Sequence, residues 1–219
     1  LTWLHLWHLV DYFHNYITDM SLLSPEVLSE FMAVYVSYYS QFKGFKRQFN
    51  YIVNRKQNDD DKLRFAVRNM HRMVDIFTKY GLKDGATIRK VSCGDSPFFI
   101  AISRGVWESP FGLELYVGKQ SASRAPFSGK FFKIGLDTDG DKTLRIVNVQ
   151  GVKGLRDIKN EFEAQCGIAA DKVLYLFALE IAGYLGFEEV VAVSVEHQPH
   201  GQATKLPLVQ LFKQFGFTA

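Results

Sequence analysis

Residues 149–154, Val149-Gln150-Gly151-Val152-Lys153-Gly154, place two glycines and a lysine where an apolar strand pattern gives way to a helical one. Backbone N–H groups freed at a helix start point outward with the positive end of the helix dipole, so a phosphate or carboxylate can dock against them. Lys153 would add a full charge to that corner. The glycines also have a plainer use, which is to let the chain turn from strand to helix while Lys153 stays in solvent. A second set is Glu196 and His197, which open the loop EHQPHG at 196–201. A carboxylate, or an imidazole with an ordinary pKa of about 6.5, is suited to take a proton from an amine or hydroxyl. The plainer reading is a polar surface loop.

Both sets depend on the elements that carry them. Leu155, Ile158 and Phe162 share one face of a helix over 155–166. Val173, Leu174, Phe177, Ile181 and Leu185 repeat that spacing over 170–186, where Gly186 supplies a stop. VVAVSV at 190–195 is a valine-rich run that reads as a strand buried on both faces. Strand, long helical crossover and strand make a βαβ unit, parallel and right-handed by default. Ligands in open α/β sheets collect at the carboxyl ends of strands, so the 150–154 corner and the 196–201 loop are expected to open toward one edge.

Ahead of that unit the period is two. TIRKVS, PFFIAIS, FGLELYVG, GKFFKIGLD and KTLRIVNVQ read as successive strands separated by turns such as CGDSP and DTDGDK. DTDGD lacks the closing glutamate of an EF-hand loop, and a hairpin turn through Asp139-Gly140 is the expectation. The first third is helical. Patterns run over 3–19, over 25–42 after a Ser24 cap with Pro25 at the first position, and over 60–80, where Leu63, Val67, Met70, Val74 and Phe77 form a stripe ended by Gly81.

Asp59, Asp60 and Asp61 suit a helix N-terminus as capping and solvated charge better than they suit a metal. Glu196, His197 and His200 would crowd three ligands into one short loop, so no metal site is expected. His5, His8 and Tyr12 share a helix face that could line a pocket or cover the sheet. His71 reads as a satisfied buried histidine. The fold expected is therefore α+β. A helical N-terminal segment, 1–85, packs on a mixed, mostly antiparallel sheet of about six or seven strands in 86–219, and the two form one compact unit.

At 219 residues and 47% hydrophobic, the chain can bury one substantial core. A net charge of +3 gives no argument for nucleic acid. FKGFKRQF at 42–49 supplies Lys43, Lys46 and Arg47, with Arg55 nearby, for contact with a membrane surface or a nucleic-acid backbone, or, as the plainer reading, as a snorkelling helix end. Two cysteines, Cys93 and Cys166, offer no disulfide framework, so a reducing, cytoplasmic setting is expected, with Cys166 as a buried structural thiol. No apolar run is long enough for a transmembrane helix. The start LTWLHLWHLV lacks the basic flank of a signal peptide, and Leu1 in place of Met suggests numbering that begins inside a longer polypeptide.

Two resemblances bear on function. The order of an antiparallel meander, strand, turn, helix and strand, closing on LVQLFKQFGF, resembles the GNAT superfamily of acyl-CoA-dependent acyltransferases. The resemblance covers the glutamine and glycines of Gln150-Gly151-Val152-Lys153-Gly154, at a different spacing from that superfamily's donor turn. The chain also resembles the VirK family of bacterial envelope and virulence-associated proteins. The matching residues are IVNVQG at 146–151, Cys166-Gly167, the helix 172–186 and 191–197, with HRMVDIFTKYGL and FGLELYV before them. The first resemblance implies an acyltransferase that takes acyl-CoA or acyl carrier protein. The donor would lie on 149–154, Glu196 or His197 would move a proton, and the acceptor would be an amine or hydroxyl on a small molecule or a protein. The second implies a non-catalytic envelope accessory protein that binds a lipid, peptide or protein.

Overall fold

The computed structural model describes residues 19–41, 58–83, 85–94, 96–104, 109, 111–118 and 129–192, with 6, 9, 10, 13, 14 and 17 near the start. Residues 6, 9, 10, 13 and 14 are helical, inside the helix expected over 3–19, while His5, His8, Tyr12 and the cluster at 42–49 lie outside the described residues.

Ser24 Oγ accepts from the Val27 N–H at 3.3 Å, and Pro25 takes the first position of α1, Pro25–Gln41. Asn58 caps α2, Asp59–Lys79, by accepting from the Asp61 N–H at 2.8 Å. The acids beside it hold more than a cap. The Asp59 carboxylate accepts from the Asp19 N–H at 3.0 Å and that of Asp60 from the Ser24 N–H at 2.9 Å, so the start of α2 ties down the turn ahead of α1. Leu63, Val67, Met70 and Phe77 are buried as their spacing predicts. Gly81, at φ 60°, ends the helix, and the Leu82 N–H reaches back to the Phe77 carbonyl at 2.8 Å. His71, expected to be buried, is exposed, because it lies off the stripe.

Six strands follow among the described residues: β1 (Ala86–Val91), β2 (Phe98–Arg104), β3 (Phe111–Val117), β4 (Lys130–Asp139), β5 (Thr143–Gly151) and β6 (Glu189–Ala192). They lie in chain order in one sheet, antiparallel from β1 to β5 and parallel between β5 and β6. The fold is α+β with a mixed, mostly antiparallel sheet. The β4–β5 hairpin turns through Gly140 at φ 67°, as Asp139-Gly140 suggests. The crossover from β5 to β6 carries α3 (Arg156–Cys166) and α4 (Ala170–Leu185), each ended by a left-handed glycine, Gly167 and Gly186.

One sheet face is apolar. Register aligns Ile100 with Leu115 and Leu115 with Phe132, and Phe162 of α3 packs edge-on to Phe98 at 4.9 Å. The helical stripe of α2 and this face belong to one core cluster. The strand expected at 190–195 differs in burial: Val190, Val191 and Ala192 are only half-buried, since β6 is the last strand of the sheet among the described residues.

The expectation of two separate thiols is corrected. Cys93 and Cys166 form a disulfide, with their Cα atoms 5.0 Å apart, because α3 crosses the sheet from the end of β5 to the β1–β2 turn. Hydrogen bonds reinforce the junction: Ser96 Oγ donates to Glu161 at 2.7 Å and the Ser96 N–H to Gln165 at 3.4 Å.

Candidate functional site

β5 holds its ladder with β4 to the end, pairing Gly151 with Phe132, and the Val152 N–H donates to the Phe131 carbonyl at 2.9 Å. That bond corrects part of the sequence reading: the Val152 amide is committed to the sheet and is not offered to a ligand. Antiparallel pairs alternate between bonded and non-bonded positions. Since Val152 and Phe131 form a bonded pair, the Gly151 N–H points away from β4, toward the β6 side of β5. Parallel pairing of β5 with β6 reaches Ile146 opposite Ala192 among the described residues.

The chain then turns. The Leu155 N–H donates to the Val152 carbonyl at 3.2 Å and closes the bend. Gly154 sits at φ 83°, a backbone that a side chain strains whatever the space around it. Gly151 is different. A Cβ there would meet nothing nearer than the Phe132 ring at 3.6 Å, so neither backbone shape nor crowding within the protein demands glycine.

α3 starts without help. Leu155 at its cap position gives no side-chain hydrogen bond, so the first-turn amides of Arg156, Asp157 and Ile158 have no cap partner from that residue. Gln150, Gly151, Lys153, Gly154 and Arg156 are exposed, and among the described residues Lys153 has no ion pair. Asp157, also exposed, places one negative charge in the same turn. The corner therefore combines helix-start amides, one unmatched lysine and a glycine at a strand end, a set of donors that suits an anionic group. Glu196 and His197, the residues read as proton acceptors, lie outside the described residues, as does the closing phrase at 208–217.

The other chemically loaded face went unread in the sequence. Glu114 is 2% exposed in the middle of β3 and takes hydrogen bonds from Ser103 and Lys130, with Lys133 at 3.7 Å. The signal was available, since an acid between Leu113 and Leu115 points to the face opposite theirs. Asp137 is 1% exposed and receives both Nε (2.7 Å) and Nη2 (3.1 Å) of Arg145, which stands opposite it in register and over the Phe65 ring. Burial pushes the Asp137 carboxyl up to about 6; Arg145 opposes that shift without reversing it. Burial also works against the Arg145 charge, but the carboxylates of Asp137 and Asp139 outweigh it and hold the guanidinium above its ordinary value, so at neutral pH the pair is charged on both sides.

Among the described residues there is no group of three histidine, cysteine or acidic side chains that could hold a metal, and no helix is long and apolar enough to cross a membrane. No protein-family model, curated protein or solved structure matches this chain.

Proposed function

We propose that the β5–α3 corner binds the phosphates of a thioester carrier, acyl-CoA or acyl carrier protein, and that the chain transfers the acyl group to an amine or hydroxyl acceptor. The observation that carries this reading is an uncapped helix start with an unmatched Lys153, at the carboxyl end of the strand that begins the parallel pair. Gly151 supports it, because glycine in a strand with no demand from the fold suits close approach of a ligand. In the reaction the acceptor's nitrogen or oxygen attacks the thioester carbon and the C–S bond breaks. The proton lost by the acceptor passes to a base and another protonates the departing thiolate; Glu196 or His197 is the proposed carrier.

The test is thermal unfolding with coenzyme A. Ligand at a hundred times its Kd stabilises by about 2.7 kcal/mol, which raises Tm by about 5–10 °C in a chain of this size. Lys153→Glu is expected to remove most of that rise while leaving the ligand-free Tm within about 2 °C. A wild type that does not respond, or a variant that responds equally, overturns the donor site.

A second reading rests on the disulfide. Cys93–Cys166 fits an oxidising compartment, where disulfides persist and an envelope accessory protein of the VirK kind would work, whereas a cytoplasmic donor of acyl groups fits reduced thiols. Alkylating whole cells before lysis separates the two: paired cysteines support the envelope reading, and free cysteines support a cytoplasmic acyltransferase.

A further inference from the structure

Of the helices that pack on the sheet, α3 is held least by the core. Phe162 is its one buried residue, wedged between the rings of Phe98 at 4.9 Å and Phe131 at 5.5 Å, whereas α2 buries ten residues and α4 seven. Leu155 and Ile158, at the near end, are half-buried, and the helix start has no side-chain cap. Local opening costs least where few apolar contacts are buried, so α3 depends on what else fastens it.

That fastening is at its far end. Cys166, the last residue of α3, is bonded to Cys93 just past β1, and beside them Ser96 donates to Glu161 and Gln165. Gly94 lets the turn lie close against α3, for a Cβ there would come within 2.4 Å of the Gln165 side chain. The hydrogen bonds are exposed or half-buried and add little against water. The covalent bond is the strong member, because it forbids every opened arrangement in which residues 73 apart in sequence separate. Both cysteines are half-buried and not sealed in the core, which leaves them open to a small dithiol. The start of α4 is coupled to the same junction. Ala169 gives it no side-chain cap, and the Glu163 carboxylate of α3 instead accepts from the Ala170 N–H at 3.0 Å.

We propose that Cys93–Cys166 is a redox latch on α3. Closed, it holds α3 on the sheet and keeps the helix start of the β5–α3 corner in place. Reduced, it lets α3 open locally and take the Glu163 cap away from α4, while the strands stay folded. The reductant is a dithiol. One of its thiolates attacks a cysteine sulfur, and its second displaces the mixed disulfide so formed; Cys93 and Cys166 are left as thiols, and the dithiol, having given up two electrons and two protons, closes to its own disulfide. The latch does not depend on which anion the corner takes.

Native-state hydrogen exchange, read by mass spectrometry on the oxidised chain and on the chain reduced with dithiothreitol, tests it. Amides of 156–166 and of 170–173 should exchange at least about tenfold faster after reduction, while those of β3 and β4 keep their rates. Reoxidation with oxidised glutathione should restore the first rates. The double variant Cys93→Ser, Cys166→Ser should match the reduced wild type and be indifferent to dithiothreitol; should it fail to fold, the reduced wild type still decides. Unchanged exchange in α3, a bond that dithiothreitol does not reduce in the folded chain, or a double variant that still responds to dithiothreitol would each overturn the proposal. So would an equal acceleration in β3 and β4, which would make the bond a staple of the whole fold.

Discussion

The two ends of β5 are built on opposite plans. At its start, polar groups are matched. Arg145 is locked to buried Asp137, Lys142 pairs with Glu188 at 2.8 Å, Thr143 donates to Glu189, and the adjacent Thr138 N–H is held by Asn69 of α2 at 3.0 Å. At its finish, Gln150, Lys153 and Gly154 are exposed, the lysine is unmatched and the helix that follows is uncapped. At the first end the fold uses up its polar groups on one another, whereas recognition needs donors that the fold positions but does not consume. The carboxyl end of a strand in a parallel pair is where open α/β sheets put such groups.

The largest effect should come from breaking the closed end. Arg145→Ala removes the one partner that Asp137, 1% exposed, has among the described residues, and leaving a buried charge uncompensated costs about 3–5 kcal/mol. Urea unfolding at pH 8 measures it. The same substitution at pH 5 should cost less, because there the carboxyl takes up a proton and no longer needs the guanidinium. A loss under 1 kcal/mol at pH 8 would show that the start of β5 does not anchor the fold.

The wild type should carry a related pH signature of somewhat smaller size. Burial raises the Asp137 pKa to about 6 from an ordinary 3.8, so the folded chain holds this proton more tightly than the unfolded one. The contribution is therefore fully present below about pH 3.8 and is lost as pH rises through about 6, in the sense opposite to that of a salt-bridged acid with a lowered pKa. The shift corresponds to about 3 kcal/mol. Asp137→Asn should flatten that part of the stability profile between pH 4 and 7. A profile that rises over that window and is unaltered by the substitution would contradict the assignment.

Much of the local architecture can be read from neighbouring residues. The Ser24 cap, the stripe and stop of α2, the Asp139-Gly140 turn and the two helices of the crossover follow from spacing and from what each side chain does to its own backbone. The features that were not legible depend on pairing over distance. Cys93 meets Cys166 only because α3 crosses the sheet, and a separation of 73 residues carries no hint of that. Asp60 looks like a solvated charge until the turn before α1 is laid against it. The Val152 amide looks available in a glycine-flanked turn, yet one more rung of the β4–β5 ladder takes it. The corner was thus legible as a place, from its glycines and lysine, while its inventory of open donors required the sheet register.

The smallest expected effect sharpens the comparison at the open end. Gly154 and Gly151 are three residues apart and look interchangeable in the sequence, but only Gly154 has a positive φ, at 83°, with no atom near the added Cβ. Gly154→Ala should therefore cost about 1–2 kcal/mol through backbone strain alone. Gly151→Ala meets only an ordinary contact with Phe132 and should change stability by less than about 0.5 kcal/mol. If Gly151 is kept small for a ligand, its methyl should instead reduce the coenzyme A shift that Gly154→Ala, once its own lower starting Tm is subtracted, leaves closer to wild type. Unfolding curves of both variants with and without coenzyme A make the distinction. A Gly151→Ala protein with an unchanged ligand response would mean that the end of β5 is exposed without being used.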